Sequence, residues 1–218
     1  MIIGLKILLK CAHCHTDFVA SLDSALMLCP ECVSEWSRGW SNHNQLNVSG
    51  GRALSIDSLR VYEHQARSLI VRAKANRSFG SGKFVADEAA KQPVSIRLTD
   101  WAEQIVATSP SLWSRWHGSV NIAQLFAQTL SKSSHTPLMR APYPLLWRAR
   151  KSSFRDKDHR AGPLRIESDS YILRQFQSVT SKRVLLVDDV ITSGFTMAAV
   201  AQFYPNSEIK GLVIARAG

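Results

Sequence analysis

The chain has 218 residues, 45% hydrophobic and 20% charged, an apolar share that buries a core and excludes a disordered or linker-type sequence. Lys and Arg number 27 against 17 acidic residues, a net charge of +10, which suits either an anionic partner or simply a well-solvated basic surface. No run reaches the roughly 20 apolar residues of a membrane span, and the opening Met1–Lys10 segment is interrupted by Lys6 and has no signal-peptide pattern, so a cytoplasmic protein without membrane insertion is expected.

That opening segment reads as a short strand or helix feeding a cysteine module. All four cysteines fall in the first 32 residues, as Cys11-Ala-His-Cys14 and Cys29-Pro-Glu-Cys32, with 14 residues between the pairs. Each CxxC presents two thiolates on a tight turn, and the loop between them closes a tetrahedral site suited to zinc at about 2.3 Å. Four sulfurs complete the shell, so Cys11, Cys14, Cys29 and Cys32 are expected to hold a structural ion, with His13 and His15 as bystanders. Two disulfides would need an oxidising compartment, and a redox dithiol would leave the second pair unexplained.

Residues 34–58 are polar, with a turn at Gly50-Gly51, and read as a connector with short strands. The expected division is therefore a module and connector over 1–58 and a second domain over 59–218. From Tyr62 the spacing of Ala66, Leu69, Ile70 and Ala73 predicts a helix that stops before Gly80-Ser81-Gly82. A second short helix, Phe84–Ala90, is expected to end near Pro93. Gln104–Ala107 reads as a buried strand entering the turn cluster Thr108-Ser109-Pro110-Ser111. Asn121–Leu130 is an amphipathic helix, with Ile122, Leu125, Phe126 and Leu130 on one face. Pro137-Leu138-Met139 carries a weak strand signal. From Trp147 to Arg165 the chain is strongly basic, including Arg148, Lys151 and Arg155, and reads as a mobile or ligand-gated loop.

The last segment is the most informative. Val184-Leu185-Leu186-Val187 is a continuous apolar run, as expected of a strand covered on both faces. Asp188-Asp189 follow, then a turn through Ser193-Gly194, a helix from Phe195 to Phe203, and a strand from Glu208 to Ala215. This is a βαβ unit, which predicts a largely parallel sheet. Ligands of such sheets bind outside the strand carboxyl ends, where the two aspartates fall. The loop after them offers the hydroxyls of Thr192, Ser193 and Thr196, and Gly194 admits close backbone approach. A phosphate suits that loop, and the carboxylates suit sugar hydroxyls or a shared Mg²⁺. The bland alternative is a strand end whose Ser and Thr merely cap the next helix. No Walker-type loop or dinucleotide fingerprint occurs.

Val184-Leu-Leu-Val-Asp-Asp-Val-Ile-Thr-Ser-Gly-Phe-Thr196 resembles the phosphoribosyl-pyrophosphate (PRPP) motif of type I phosphoribosyltransferases. With the double CxxC ahead of it, Tyr62-Glu63 and a helix reaching Lys74, the chain is similar to the ComF/GntX family, tied to competence and DNA uptake or utilisation. The resemblance implies an α/β fold with a type I phosphoribosyltransferase-like parallel sheet flanked by helices, preceded by a small zinc-ribbon-like module. It implies that Asp188 and Asp189 meet ribose hydroxyls and metal, and that Thr192, Ser193, Gly194, Phe195 and Thr196 hold the 5-phosphate. Ser109 to Leu112, with Ser109 and Ser111 as contacts, stands in place of the pyrophosphate loop, and the basic stretch after Trp147 stands for the flexible hood. The chain departs from the family at Val106-Ala-Thr-Ser-Pro110, where a V-P-V-P-like run is usual, and at Phe195, where a small residue is usual. Two activities follow as expectations: Mg²⁺-dependent phosphoribosyl transfer, or a non-catalytic competence factor that binds single-stranded DNA or other competence proteins. The second draws on the net charge, the cysteine module and Trp36, Trp40, Trp113, Trp116 and Trp147, which fall in or near expected loops, although ordinary packing is the expected role of any single tryptophan, less so for Trp113 and Trp116 together.

Overall fold

The computed structural model of the protein describes residues 6–11, 14–21, 28–38, 40, 54–75, 79–108, 118–140, 181–192 and 194–217. Strands β1 (Lys6–Lys10) and β2 (Asp17–Ser21) form an antiparallel ribbon, with Lys6 opposite Ser21 and Lys10 opposite Asp17. The ribbon is followed by helix α1 (Pro30–Arg38), whose first turn carries Cys32 and whose inner face carries Trp36. Proline at the first helical position suits that start, because its missing N–H has no intrahelical partner there.

Strand β3 (Ser55–Ser58) leads into helices α2 (His64–Ala75), α3 (Phe79–Ala90) and α4 (Pro93–Trp101). Then come β4 (Gln104–Ala107), α5 (Ile122–Ser134) and β5 (Leu138–Arg140). The chain closes with β6 (Arg183–Ile191), α6 (Phe195–Ala201) and β7 (Glu208–Arg216). The five strands β3 to β7 form one sheet in the order β3-β7-β6-β4-β5, every pairing parallel. The fold is thus α/β, a parallel sheet flanked by helices. Its edge strand β3 is drawn from residues before 59.

The central strands are buried on both faces, and their period of two sorts the side chains. Ile105, Ala107, Leu185, Val187 and Leu212 face the layer of α2, α3, α4 and α5 together with the cysteine module. Val106, Val184, Leu186 and Val213 face α6 through Met197, Val200 and Ala201. From the β4/β6 boundary the crossover through α5 leads outward to β5, and that through α6 leads the opposite way to β7. The strand order therefore reverses between β4 and β6. A crevice forms at the carboxyl ends of strands at such a reversal.

Several expected boundaries move. Helix α2 stops at Ala75, before Gly80-Ser81-Gly82 as expected, but that segment is itself helical, in the first turn of α3, which starts at Phe79 and not at the expected Phe84. Close packing explains this: a Cβ at Gly82 would stand 2.8 Å from Val120 Cγ1, just ahead of α5, so glycine serves helix contact there and not chain reversal. Helix α3 ends at Ala90, near Pro93 as expected, and Pro93 then opens a further helix, α4. Asn121 caps α5, its side chain accepting from Gln124 N at 3.0 Å.

Candidate functional site

β6 outruns β4 at the strand reversal. The last residue pair between them is Ala107 opposite Val187, and Thr108 N then donates to Val187 O at 2.9 Å. Asp188 and Asp189, expected just beyond a strand, are instead in β6, at the point where that strand has lost its β4 neighbour. Adjacent residues of a strand point to opposite faces, so the two carboxylates meet different partners.

Asp189 lies on the α2 side and is buried. Both its oxygens face Lys74 of the last turn of α2, with Nζ 2.7 Å from Oδ2 and 2.8 Å from Oδ1. Asp188 is half-buried. Its Oδ1 accepts from the Asp189 backbone N–H at 2.8 Å, and the buried Thr108 hydroxyl donates to the same carboxyl. Burial first, and the neighbouring Asp189 carboxylate second, push Asp188 up to about 7. These outweigh the hydrogen bonds and the more distant Lys74 charge, which act the other way. An acid that changes protonation near neutral pH at a strand reversal marks a candidate functional site.

The loop after β6 passes Thr192, which is exposed, and reaches Gly194 at φ 73°. That left-handed conformation strongly favours glycine. Gly194 O accepts the first helical bond from Ala198 N at 2.9 Å, and Thr196 is exposed on the first turn of α6. Ser193, Ser109 and Ser111 lie outside the described residues, as do Arg148, Lys151, Arg155, Trp113, Trp116 and Trp147.

The second candidate is a metal centre. Cys11, Cys14, Cys29 and Cys32 bring their sulfurs within 4.8 Å of one another. Cys14 Sγ and Cys29 Sγ are 3.6 Å apart, close to the edge of about 3.8 Å of a tetrahedron with 2.3 Å metal–sulfur bonds. The first knuckle is closed by His15 N donating to Cys11 O at 3.1 Å, with His15 at φ 63°. In the second, Cys29 N donates to Cys11 Sγ at 3.3 Å and Val33 N to Cys29 O at 3.0 Å. The Thr16 hydroxyl lowers the exposed Cys14 thiol to about 6, whereas burial pushes Cys29 up to about 11 and Cys32 up as well. Clustered, mostly buried sulfurs that resist ionisation by themselves fit a cation that stabilises their thiolates. The four cysteines can hold a metal ion such as zinc, and among the described residues they form the only such group.

Helix α2 joins the two candidates. Gln65 Nε2 donates to Cys32 O at 3.0 Å, Arg72 Nη2 lies 2.8 Å from His15 Nε2, and Lys74 meets Asp189. Arg60 fastens the module further. Its guanidinium lies 4.1 Å from the Trp36 ring centroid and 5.0 Å from that of Trp40, and Nη1 donates to Trp36 O at 2.8 Å. Burial lowers its pKa to about 10. Trp36, expected in or near a loop and available for stacking on bases, is fully buried in α1, and Trp40 packs edge-on against it at 5.3 Å. Stacking on Arg60 consumes the faces that a base would need.

Sequence reasoning singled out neither Lys74 nor Thr108 as site residues, nor Arg60. Lys74 reads as one more surface charge on α2, and no local spacing connects it to an aspartate 115 residues away. The molecule so defined is a parallel α/β protein with an acid pair at its strand reversal and a four-cysteine cluster braced against it. No protein-family model and no curated protein matches the chain.

Proposed function

We propose that the carboxyl end of β6 binds PRPP or another ribose 5-phosphate ligand, in a phosphoribosyltransferase-like protein of the ComF type linked to DNA uptake or utilisation. The observation that carries the reading is the position of Asp188 and Asp189 at the strand reversal, directly ahead of a loop that turns at a left-handed Gly194. Asp188 and Asp189 accept ribose hydroxyls. Thr192, Ser193 and Thr196, with the backbone at Gly194 and Phe195, donate to the 5-phosphate. The helix after this loop has only seven residues, so the phosphate depends on hydroxyl and backbone donors more than on a helix dipole. Ser109 and Ser111 follow Thr108 and stand on the diphosphate side. Mg²⁺ bound with PRPP supplies charge neutralisation at that diphosphate. In this reading the four cysteines hold a structural zinc ion, since four sulfurs leave no open position for chemistry.

Calorimetric titration with PRPP and Mg²⁺ tests the site. Saturable heat that disappears in Asp188→Asn is the expected result, and absence of binding by both PRPP and ribose 5-phosphate overturns the reading. The alternative, a non-catalytic factor that binds single-stranded nucleic acid, draws on the net charge of +10. Oligonucleotide binding that falls steeply with salt, without any PRPP heat, would favour it.

A further inference from the structure

The partner of Asp189 bears on what the site demands of its ligand. Two adjacent carboxylates repel an incoming phosphate ester, and a site of this kind ordinarily needs a cation to offset them. The chain already supplies one: Lys74 Nζ stands 2.7 and 2.8 Å from the two oxygens of Asp189. It is held there by its helix, since α2 is tied at its start to Cys32 O through Gln65 and near its end to His15 through Arg72. The Lys74 side chain is 38% exposed, whereas Asp189 is 11% exposed, so the ammonium lies on the solvent side of the pair, where a ligand approaches.

Resting on the ribose 5-phosphate reading above, we infer that Lys74 is the fixed cation of this site and takes the place of a divalent metal, so that the ribose 5-phosphate group binds without one. A carboxylate has about four lone-pair positions. One ammonium shared between both oxygens of Asp189 therefore leaves acceptor capacity for the vicinal hydroxyls of a ribose. The other acid is already engaged within the chain, its Oδ1 accepting from the Asp189 backbone N–H at 2.8 Å. Lys74 is thus a positioning residue, acting on the ligand through Asp189 and through the local field.

The test is titration of the full chain with ribose 5-phosphate, in buffer freed of magnesium by dialysis and again with added Mg²⁺. No chelator is used, because one would also strip the cysteine cluster. Wild-type affinity is expected to agree within about twofold in the two buffers. Lys74→Met should bind about tenfold more weakly without Mg²⁺ and regain most of that loss when Mg²⁺ is added, whereas Lys74→Arg should keep metal-independent binding. A thermal melt of each variant separates a folding defect from a site defect, and the arginine variant keeps the test open should the methionine variant fail to fold. Wild-type binding that strengthens tenfold or more with Mg²⁺, or Lys74→Met that binds like wild type without it, overturns this inference and leaves the ribose 5-phosphate reading standing. Failure of ribose 5-phosphate to bind wild type in either buffer removes both.

Discussion

The cysteine cluster and the acid pair are both gatherings of ionisable side chains, yet they are assembled in opposite ways. The cluster takes four identical ligands from one stretch, Cys11 to Cys32, and brings their sulfurs within 4.8 Å of one another. The acid pair takes its aspartates from β6, its cation from α2 and its hydroxyl from the end of β4, and the side chain of its cation is 38% exposed. The first arrangement saturates a metal and leaves nothing for a substrate. In the second, charge is only partly balanced, and a ligand can complete it. The first is a closed site, four like ligands gathered around one position, and the second an open one, with an exposed cation.

The largest expected effect is at the closed site. Cys32→Ser should abolish metal retention, measured by atomic emission, and unfold the module locally, because metal binding and folding of such sites share one free energy of order 10 kcal/mol. The buried Trp36 packs in the same cluster as Cys32, so its fluorescence should shift to the red. Metal retained at wild-type stoichiometry would show that the four sulfurs are not a ligand set.

Next comes the joint between the two regions. Arg60→Ala removes a buried guanidinium from between Trp36 and Trp40 and leaves Trp36 O without its donor. A loss of about 2–3 kcal/mol in chemical denaturation is expected. A loss below about 0.5 kcal/mol would mean that the module docks by other contacts.

At the open site the effect depends on pH. Asp188 is held near 7, above the value of about 3.9 of an unfolded aspartate. Between those values the folded state keeps a proton that the unfolded state has released. The resulting stability is fully present below about pH 4 and is lost as pH rises through about 7. Asp188→Asn should therefore match wild type near pH 4 and exceed it at pH 8, with the roughly three-unit elevation setting an upper limit of about 4 kcal/mol. Equal stability differences at both pH values would contradict the elevated carboxyl. The smallest effect belongs to the loop: Gly194→Ala places a Cβ on a residue at φ 73° and should cost about 1 kcal/mol, seen as a modest fall in melting temperature.

The clearest parts of the chain in sequence were those whose signal is local. The Val184–Val187 run, the Glu208–Ala215 strand and the doubled CxxC are each read from neighbouring residues, and each stands in the structure as a strand or a sulfur cluster. Sequence spacing places the end of α2 before Gly80-Ser81-Gly82 but starts the next helix at Phe84, too late, because Gly82 answers a contact with Val120 that spacing does not show. Helix α4 has no clear signal of its own: Pro93 marks the helix end at Ala90, and the same residue also opens the next helix. Ordinary packing, the favoured role for any single tryptophan, holds for Trp36 and Trp40, but their partner Arg60 is distant in sequence and has no local signal.

The sequence by itself determined a parallel βαβ core, four cysteines spaced for one closed site, and two aspartates near the end of a buried strand, since each depends on residues within a few positions of one another. Only the tertiary structure decided that those aspartates face opposite sides of the sheet with different partners, that Lys74 neutralises one of them, and that the cysteine module is fastened to the site through α2 and Arg60. Charge compensation acts through space over a few ångströms, and chain separation carries no record of which distant residues the fold will bring that close.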